Sequence, residues 1–392
     1  MVVPMVASIS FFPVSNGDMT LVTLDNGQTI LIDINIRNAA DSDVDDTPDV
    51  ATELRERLNT DDAGRHYVDA FLLSHPDADH IDGLRDHFHL GAPEDWSKGD
   101  DKVLIREMWS SPVVFKRASS KKPLCKDAKA WAKEARRRVK RFKDSGMATE
   151  EGDRILIMGE DENGKTDDVL EIVVKTDDTF STCNRSDEGV FEVRLLGPLL
   201  TDSDEDEEEL SKNNSSVVVR FSLKGGGVAD QCLFLTGGDA GVAVWQRLWQ
   251  RHGESNPDWF EYDILQSPHH CSWRSMSFDS WKDHGEKAKV DSDARDALSN
   301  TRKGAIVIAS SKPVKKDDDN PPHDRAKREY IEIVGNDEDR FICTDEHWSE
   351  ASSVLEFEIK TSGVVKKLTA AAVGASTSLG IGATAAQPRQ HG

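Results

Sequence analysis

Hydrophobic positions along the chain fall in short runs broken by turn residues and charges, a spacing that predicts more strands than helices. Ser8–Val14 and Met19–Leu24 read as strands. Asn26-Gly27 follows as a hairpin turn, because both residues tolerate φ > 0. Gln28–Ile34 returns as a buried run ending at Asp33, and Val50–Leu58 has helical spacing. Val68–Ser74 is an apolar strand that leads directly into a cluster of His and Asp, and Ile81–Phe88 reads as a helix. From about 91 to 189 the pattern weakens and is expected to be a helical and β insertion. It holds one clear helix, Lys126–Lys143, and a strand pair, Arg154–Met158 and Val169–Lys175. Strand spacing resumes at Glu192–Leu196, Val217–Leu223 and Cys232–Leu235, then the helix Val242–His252 and the strand Tyr262–Gln266. Ala305–Ala309, a helix over Asp324–Val334, Arg340–Cys343 and Val354–Lys360 complete the series. Strand runs closed by a helix, given twice, predict an α/β chain of two stacked sheets covered by helices.

Composition adjusts this picture in three places. The 392 residues carry 49 Lys and Arg against 72 Asp and Glu, a net charge of −23, so a whole-protein basic footprint for nucleic acid is absent. The charge is polarised, however: Lys116–Lys143 holds thirteen Lys or Arg and two acids, whereas seven of the eight residues 202–209 are carboxylates. The basic helix is amphipathic, with Trp131, Ala135 and Phe142 near one stripe, and its other face is either solvated, paired with acids, or a track for phosphates. Lys133, Arg137 and Lys140 are its candidate substrate contacts. Five Cys without a repeated close pair point to a reduced, cytoplasmic setting. The N-terminus shows no charged leader, and 366–392 is expected to be a flexible tail rich in Ala, Gly and Ser, too weakly apolar to span a membrane.

The chemistry lies in three loops, each following an apolar strand. His75-Pro76-Asp77-Ala78-Asp79-His80 places four candidate metal ligands in six residues, and a divalent cation would relieve the mutual repulsion of its carboxylates. Gly237-Gly238-Asp239 brings a carboxylate that can bridge two metals, on glycines that permit close backbone approach. His269-His270, after Ser267-Pro268, offers one imidazole as ligand and one as proton carrier. Their shared position at strand ends makes the set stronger than any one member.

These segments resemble the metallo-β-lactamase fold hydrolases, and within them the soluble nuclease domain of ComEC-type competence proteins. The first loop matches H-x-D-x-D-H, Asn213-Asn214-Ser215-Ser216-Val217-Val218 resembles an N-N-x-S-L-V segment, and Leu235-Thr236-Gly237-Gly238-Asp239 resembles L-T-G-D with one added Gly. Pro268-His269-His270-Cys271-Ser272 is similar to P-H-H-G-S with Cys for Gly. Asn16-Gly17-Asp18, Ile30-Leu31-Ile32-Asp33, Asn320-Pro321-Pro322-His323 and Cys343-Thr344-Asp345-Glu346 resemble further segments of that branch, in order.

The resemblance implies a four-layer αββα sandwich over residues 1–365, with two divalent metal ions, Zn2+ or Mn2+, at the edge between the sheets. His75 and Asp77 would bind one metal and Asp79 and His80, with His269, the other. Asp239 would bridge them, and which of His269 and His270 ligates stays open. His270 and His323 are candidates for protonating a leaving group, Asp79 counts among the catalytic residues, and Asn213, Asn214 and Ser216 are candidate substrate contacts. With water activated between two metals, no Ser or Cys nucleophile is required. The expected function is a two-metal phosphodiesterase or nuclease acting on DNA or RNA. The alternatives are a lactone, thioester or small phosphoester hydrolase, and a metal-bearing subunit that docks a protein partner through the basic helix or the tail.

Overall fold

A computed structural model describes residues 6–38, 47–112, 124–160, 164, 166–199, 216–316 and 320–367. The acidic run 202–209, Asn213, Asn214 and the tail from 368 onward lie outside the described residues. The strands are β1 (Ser8–Phe11), β2 (Thr20–Thr23), β3 (Thr29–Ile32), β4 (Ile34–Asn35), β5 (Asn59–Thr60), β6 (His66–Leu73), β7 (Leu104–Ser110), β8 (Arg154–Met158) and β9 (Val173–Val174). They continue with β10 (Thr179–Phe180), β11 (Phe191–Gly197), β12 (Val218–Gly225), β13 (Val228–Thr236), β14 (Tyr262–Gln266), β15 (Thr301–Ala309), β16 (Phe341–Cys343), β17 (Leu355–Lys360) and β18 (Gly363–Lys366). The longer helices among the described residues are α1 (Val50–Arg55), α2 (Lys126–Ser145), α3 (Val242–His252), α4 (Ser292–Ala297), α5 (Asp324–Ile333) and α6 (Thr344–Ala351).

One sheet runs β18-β17-β1-β2-β3-β6-β7-β8-β9, with β5 paired to β6, and the other runs β10-β11-β12-β13-β14-β15-β16. Each changes from antiparallel to parallel pairing partway across: from β3 onward in the first, and from β13 onward in the second. Side chains alternate between the two faces of a strand, and this sets the layers. Ile30 and Ile32 of β3, Leu72 of β6, Phe221 of β12, Phe234 of β13 and Ile308 of β15 meet in one core between the sheets. Leu31 and Phe71 point the other way, into a core with Leu54 of α1 and Trp131 of α2. Leu235 and Leu265 likewise face Trp245 of α3, Ala297 of α4 and Tyr330 of α5. The stacking is therefore helix, sheet, sheet, helix, and strands buried on both faces read in the sequence as continuous apolar runs.

Several elements differ from the sequence expectation. Leu104–Ser110 is an interior strand that periodicity missed, because Arg106 and Glu107 interrupt it; Glu107 is buried and accepts from Trp109 Nε1 at 3.0 Å. The weakly patterned stretch thus supplies β7, β8 and β9 to one sheet and β10 to the other. Val169–Lys175 is mostly a 3-10 turn, Asp167–Ile172, with only Val173 and Val174 in the sheet. Ile81–Phe88 is broken at Gly83, which sits at φ +92° against Ile36, and only the short turns Ala78–Ile81 and Leu84–His87 remain.

The basic helix α2 docks its apolar stripe on the first sheet, with Trp131 edge-on to Phe71 at 4.9 Å. Its charges are largely met nearby. Arg137 reaches Glu134 at 2.7 Å and Asp153 at 2.5 Å, Lys140 reaches Asp144 at 2.5 Å, and Lys143 reaches Asp168 at 2.6 Å. Glu134 also holds Arg138, which is wholly buried and donates to the backbone oxygens of Ile105 and Arg154.

Candidate metal centre

The parallel strands β3 and β6 of one sheet and β13 and β14 of the other all end at one edge of the sandwich. In α/β sheets, the carboxyl ends of strands are where backbone pairing stops and side chains converge. Asp33 follows β3, Ser74 and His75 follow β6, Asp239 follows β13, and His269 and His270 follow β14. Backbone bonds join the loops: Val217 N donates to Ser74 O, and His269 N to Gly238 O, each at 2.9 Å. Asp18 N donates to Asp79 O at 3.1 Å, and Asp239 N to Ser216 Oγ at the same distance.

These loops bring Asp79, His80, Asp239 and His270 together, with one ligand atom of each within 4.8 Å of every other, so that they can hold a metal ion. Asp239 Oδ1 lies 2.9 Å from His80 Nε2 and 3.3 Å from His270 Nε2, and His270 Nε2 is 3.4 Å from Asp79 Oδ2. Both nitrogens of the buried His270 ring lie near carboxylates yet make no hydrogen bond. Those separations suit a coordination sphere: ligand bonds of about 2.0–2.1 Å in a tetrahedron place neighbouring ligand atoms roughly 3.3 Å apart.

The electrostatics agree with that fit. Burial works against a charged imidazole, but Asp239 and Asp33 hold His80 well above its ordinary value. Burial is likewise outweighed at His270, which Asp18 and Asp239 raise to about 10. Burial would raise Asp79, yet the neighbouring His270 and His80 bring it down to about 2. Asp239 also stays well below the ordinary carboxylate range, against its burial, through His80 and His270. Protons on two imidazoles thus balance the buried carboxylates, the role a divalent cation would take over on binding.

The other expected residues fall around this group. His75 is buried, with Nδ1 3.5 Å from Asp77 Oδ2 and its ring 5.6 Å from that of His80; Asp77 is partly exposed. His269 Nε2 faces the second oxygen of Asp239 at 3.6 Å, and burial lowers its pKa. His269, His270 and Cys271 all adopt φ between 51° and 65°, a left-handed run that non-glycine side chains rarely accept, here at the site itself. His323 caps α5, its Nδ1 accepting from Arg325 N at 3.1 Å, and its ring packs on Trp281 and Trp273. Arg137 and Lys140 are engaged by acids on and beside α2, while Lys133 is exposed.

Sequence reasoning left Asp18, Asp33 and Ser74 off the list of site residues. Asp33 Oδ2 lies 2.8 Å from His80 Nδ1, and Asp33 accepts from both the backbone N and the hydroxyl of Ser74. Asp18, Asp33 and His80 form a second, wholly buried group. The available signal was position: Asp33 ends an apolar strand just as the recognised ligands do. Gly238, at φ +47°, leaves the space that Ser74 fills. A carboxylate behind a ligating imidazole orients it and raises its basicity. Asp33→Asn is therefore expected to weaken metal binding roughly 10–100-fold, read by calorimetric titration with zinc or manganese. Unchanged affinity would remove Asp33 from the centre.

No family model matches this chain, and no curated protein matches it. Among solved structures it is similar to the isothiocyanate hydrolase from Delia radicum gut bacteria, at 12% identity and a TM-score of 0.38, over 86% of this chain and 95% of that one. Nothing is carried over from a likeness that loose, and the functional reading rests on the residues of the site.

Proposed function

We propose that this chain is a metal-dependent hydrolase of metallo-β-lactamase-like fold that holds two divalent cations and cleaves phosphodiesters, nucleic acid foremost. The observation that carries the metal dependence is the buried cluster of Asp79, His80, Asp239 and His270. The substrate class is supported by the ordered series of segments resembling the ComEC-type nuclease domain. When bound, two divalent cations supply a water of lowered pKa and stabilise charge on a phosphoryl oxygen.

In this reading His80, His270, Asp79 and Asp239 would hold one cation. His75 and Asp77 would serve the second, with Asp239 shared between the two. Asp33 fixes His80 from behind. Asp77 and Asp79 are the more exposed members and mark the side from which substrate enters. His269 sits beside Asp239 with 15% of its side chain exposed, and burial lowers its pKa. That suits an imidazole that takes up a proton from the attacking water better than one that carries a proton in. The oxygen-rich donor set admits manganese as readily as zinc.

The test is turnover of single- and double-stranded DNA, RNA, a cyclic dinucleotide and a small diester by the full chain in manganese or zinc, beside a lactone and a thioester. Phosphodiester cleavage that a chelator abolishes is the expected result. Turnover of the lactone or thioester alone would transfer the site to a small-molecule hydrolase, and no turnover of any substrate would overturn the reading.

A further inference from the structure

The segment that follows the His pair makes a tight turn over Trp273–Ser275 and continues to Trp281. It is tied to the loops of the metal centre. Ser275 Oγ shares its one proton between two carbonyls, Ala240 O at 3.2 Å, one residue after Asp239, and Pro268 O at 3.3 Å, one residue before His269. Ser272 Oγ and Trp273 N both donate to Asn320 Oδ1, at 2.7 and 3.0 Å, and Trp273 Nε1 donates to Asp279 O at 2.9 Å. Ser277 Oγ closes the far side on Lys289 O at 2.6 Å. These bonds fix the backbone of the turn to the loops that carry Asp239 and His269.

Between Cys271 and Phe278 all residues are buried except two, Arg274 and Phe278. Phe278 is 54% exposed, and the other large hydrophobics exposed among the described residues are aliphatic: Val6, Met147, Leu170, Val228 and Val365. Leaving a phenyl ring half exposed forgoes part of the about 1.5–3 kcal/mol that full burial would give, and here the turn is packed apart from this ring and Arg274. Arg274 is the exposed cation of the same turn, and its backbone N, donating to Ser272 Oγ at 3.2 Å, fixes where the side chain starts. A guanidinium and an aromatic face on one anchored turn offer the two kinds of contact that a single nucleic-acid strand presents, to a phosphate and to a base.

We infer that Arg274 and Phe278 form a strand-binding rim of the metal centre, Arg274 gripping a backbone phosphate and Phe278 stacking on an unpaired base, so that the preferred substrate is single-stranded nucleic acid. This rests on the hydrolase reading above and narrows its substrate class. A double helix hides its base faces and offers Phe278 nothing to stack on. The chemistry does not separate DNA from RNA, which the test does.

Binding of fluorescently labelled oligothymidylate and oligouridylate to the full chain, followed by anisotropy in calcium, reads the rim without turnover. Phe278→Leu is expected to weaken binding about ten-fold, within the range of a lost stacking contact, while Phe278→Tyr restores it. Arg274→Ala is expected to lower the slope of log affinity against log salt by about 0.7, the share of one phosphate contact on a single strand. Equal binding by wild type and Phe278→Leu, an unchanged salt slope in Arg274→Ala, or tighter binding of duplex than of single strand would overturn the inference. Cleavage of a small diester by wild type without oligonucleotide binding would sink this rim and leave the hydrolase standing. Oligonucleotide binding without cleavage of any substrate would do the reverse.

Discussion

Replacing Asp239 with alanine is expected to strip metal from the buried cluster and to cut hydrolysis by more than the roughly 10–100-fold that losing a supporting partner costs. Asp239 is 3% exposed and stands between three imidazoles: His80 and His270 on one oxygen, His269 on the other. Its removal also takes away a carboxylate that raises His80 against burial, so the two buried rings lose counter-charge as well as a shared neighbour. Asp239→Asn keeps the volume and one acceptor oxygen but not the charge, and separates loss of ligation from loss of packing. Metal content by mass spectrometry and turnover of a phosphodiester are the two readouts. Full metal content together with wild-type turnover in either variant would refute the assignment.

The second large effect concerns stability. Glu134→Gln is expected to destabilise the fold by about 3–5 kcal/mol, the usual cost of leaving a buried charge without its partner. The charge is Arg138, 1% exposed under α2, whose Nε lies 2.8 Å from Glu134 Oε1. Glu134 also accepts from Arg137 and from the backbone N of Gly91, so one carboxylate ties the helix to the chain beyond β6. Urea unfolding near neutral pH measures the loss, and a loss below about 1 kcal/mol would show that Arg138 is satisfied by its backbone partners alone.

The pH dependence of that loss follows from the same residues. Burial would raise Glu134, but bonding to Arg137 and the charge of Arg138 bring it below its ordinary 4.5. Asp153 is likewise lowered, against burial, by Arg137 and Arg141. A carboxylate whose folded value lies below its unfolded value binds fewer protons when folded. Its stabilisation is thus present above the ordinary value and is lost as pH falls through the folded one. Wild type and Glu134→Gln should therefore differ most above pH 4.5 and converge on further acidification. Curves that stay parallel into acid would mean that the glutamate's charge is not what stabilises the helix.

Much of the candidate metal centre was legible because its chemistry is local. Four ligand-type residues in six positions after an apolar strand need no tertiary information to be noticed, and Tyr262–Gln266 and Arg154–Met158 are strands over the spans their apolar runs mark. Residues whose role depends on a distant partner were not legible in the same way. Glu107 looks like a surface charge until Trp109 and Asn184 bond to it in the interior. Arg137 looks like a free cation for phosphate until Asp153, sixteen residues on, takes it. His269 and His270 are equivalent by sequence, and the left-handed backbone at both is what turns one ring into the buried cluster and leaves the other at its edge.

The amino-acid sequence by itself determined which residue types stand at the ends of which strands, and so the presence of a carboxylate and imidazole centre with the donors for a hard or borderline divalent cation. Strand periodicity and ligand clustering act over a few residues, where chain connectivity already sets the geometry. Only the tertiary structure decided that Asp18, Asp33 and Ser74 stand beside that cluster, that acids meet Arg137, Arg138, Lys140, Arg141 and Lys143 of the basic helix, and that Arg274 and Phe278 are the exposed members of an otherwise buried turn. Each of these depends on strands and loops far apart in the chain ending at one edge of two stacked sheets, where burial makes an unpaired charge costly and so selects its partner.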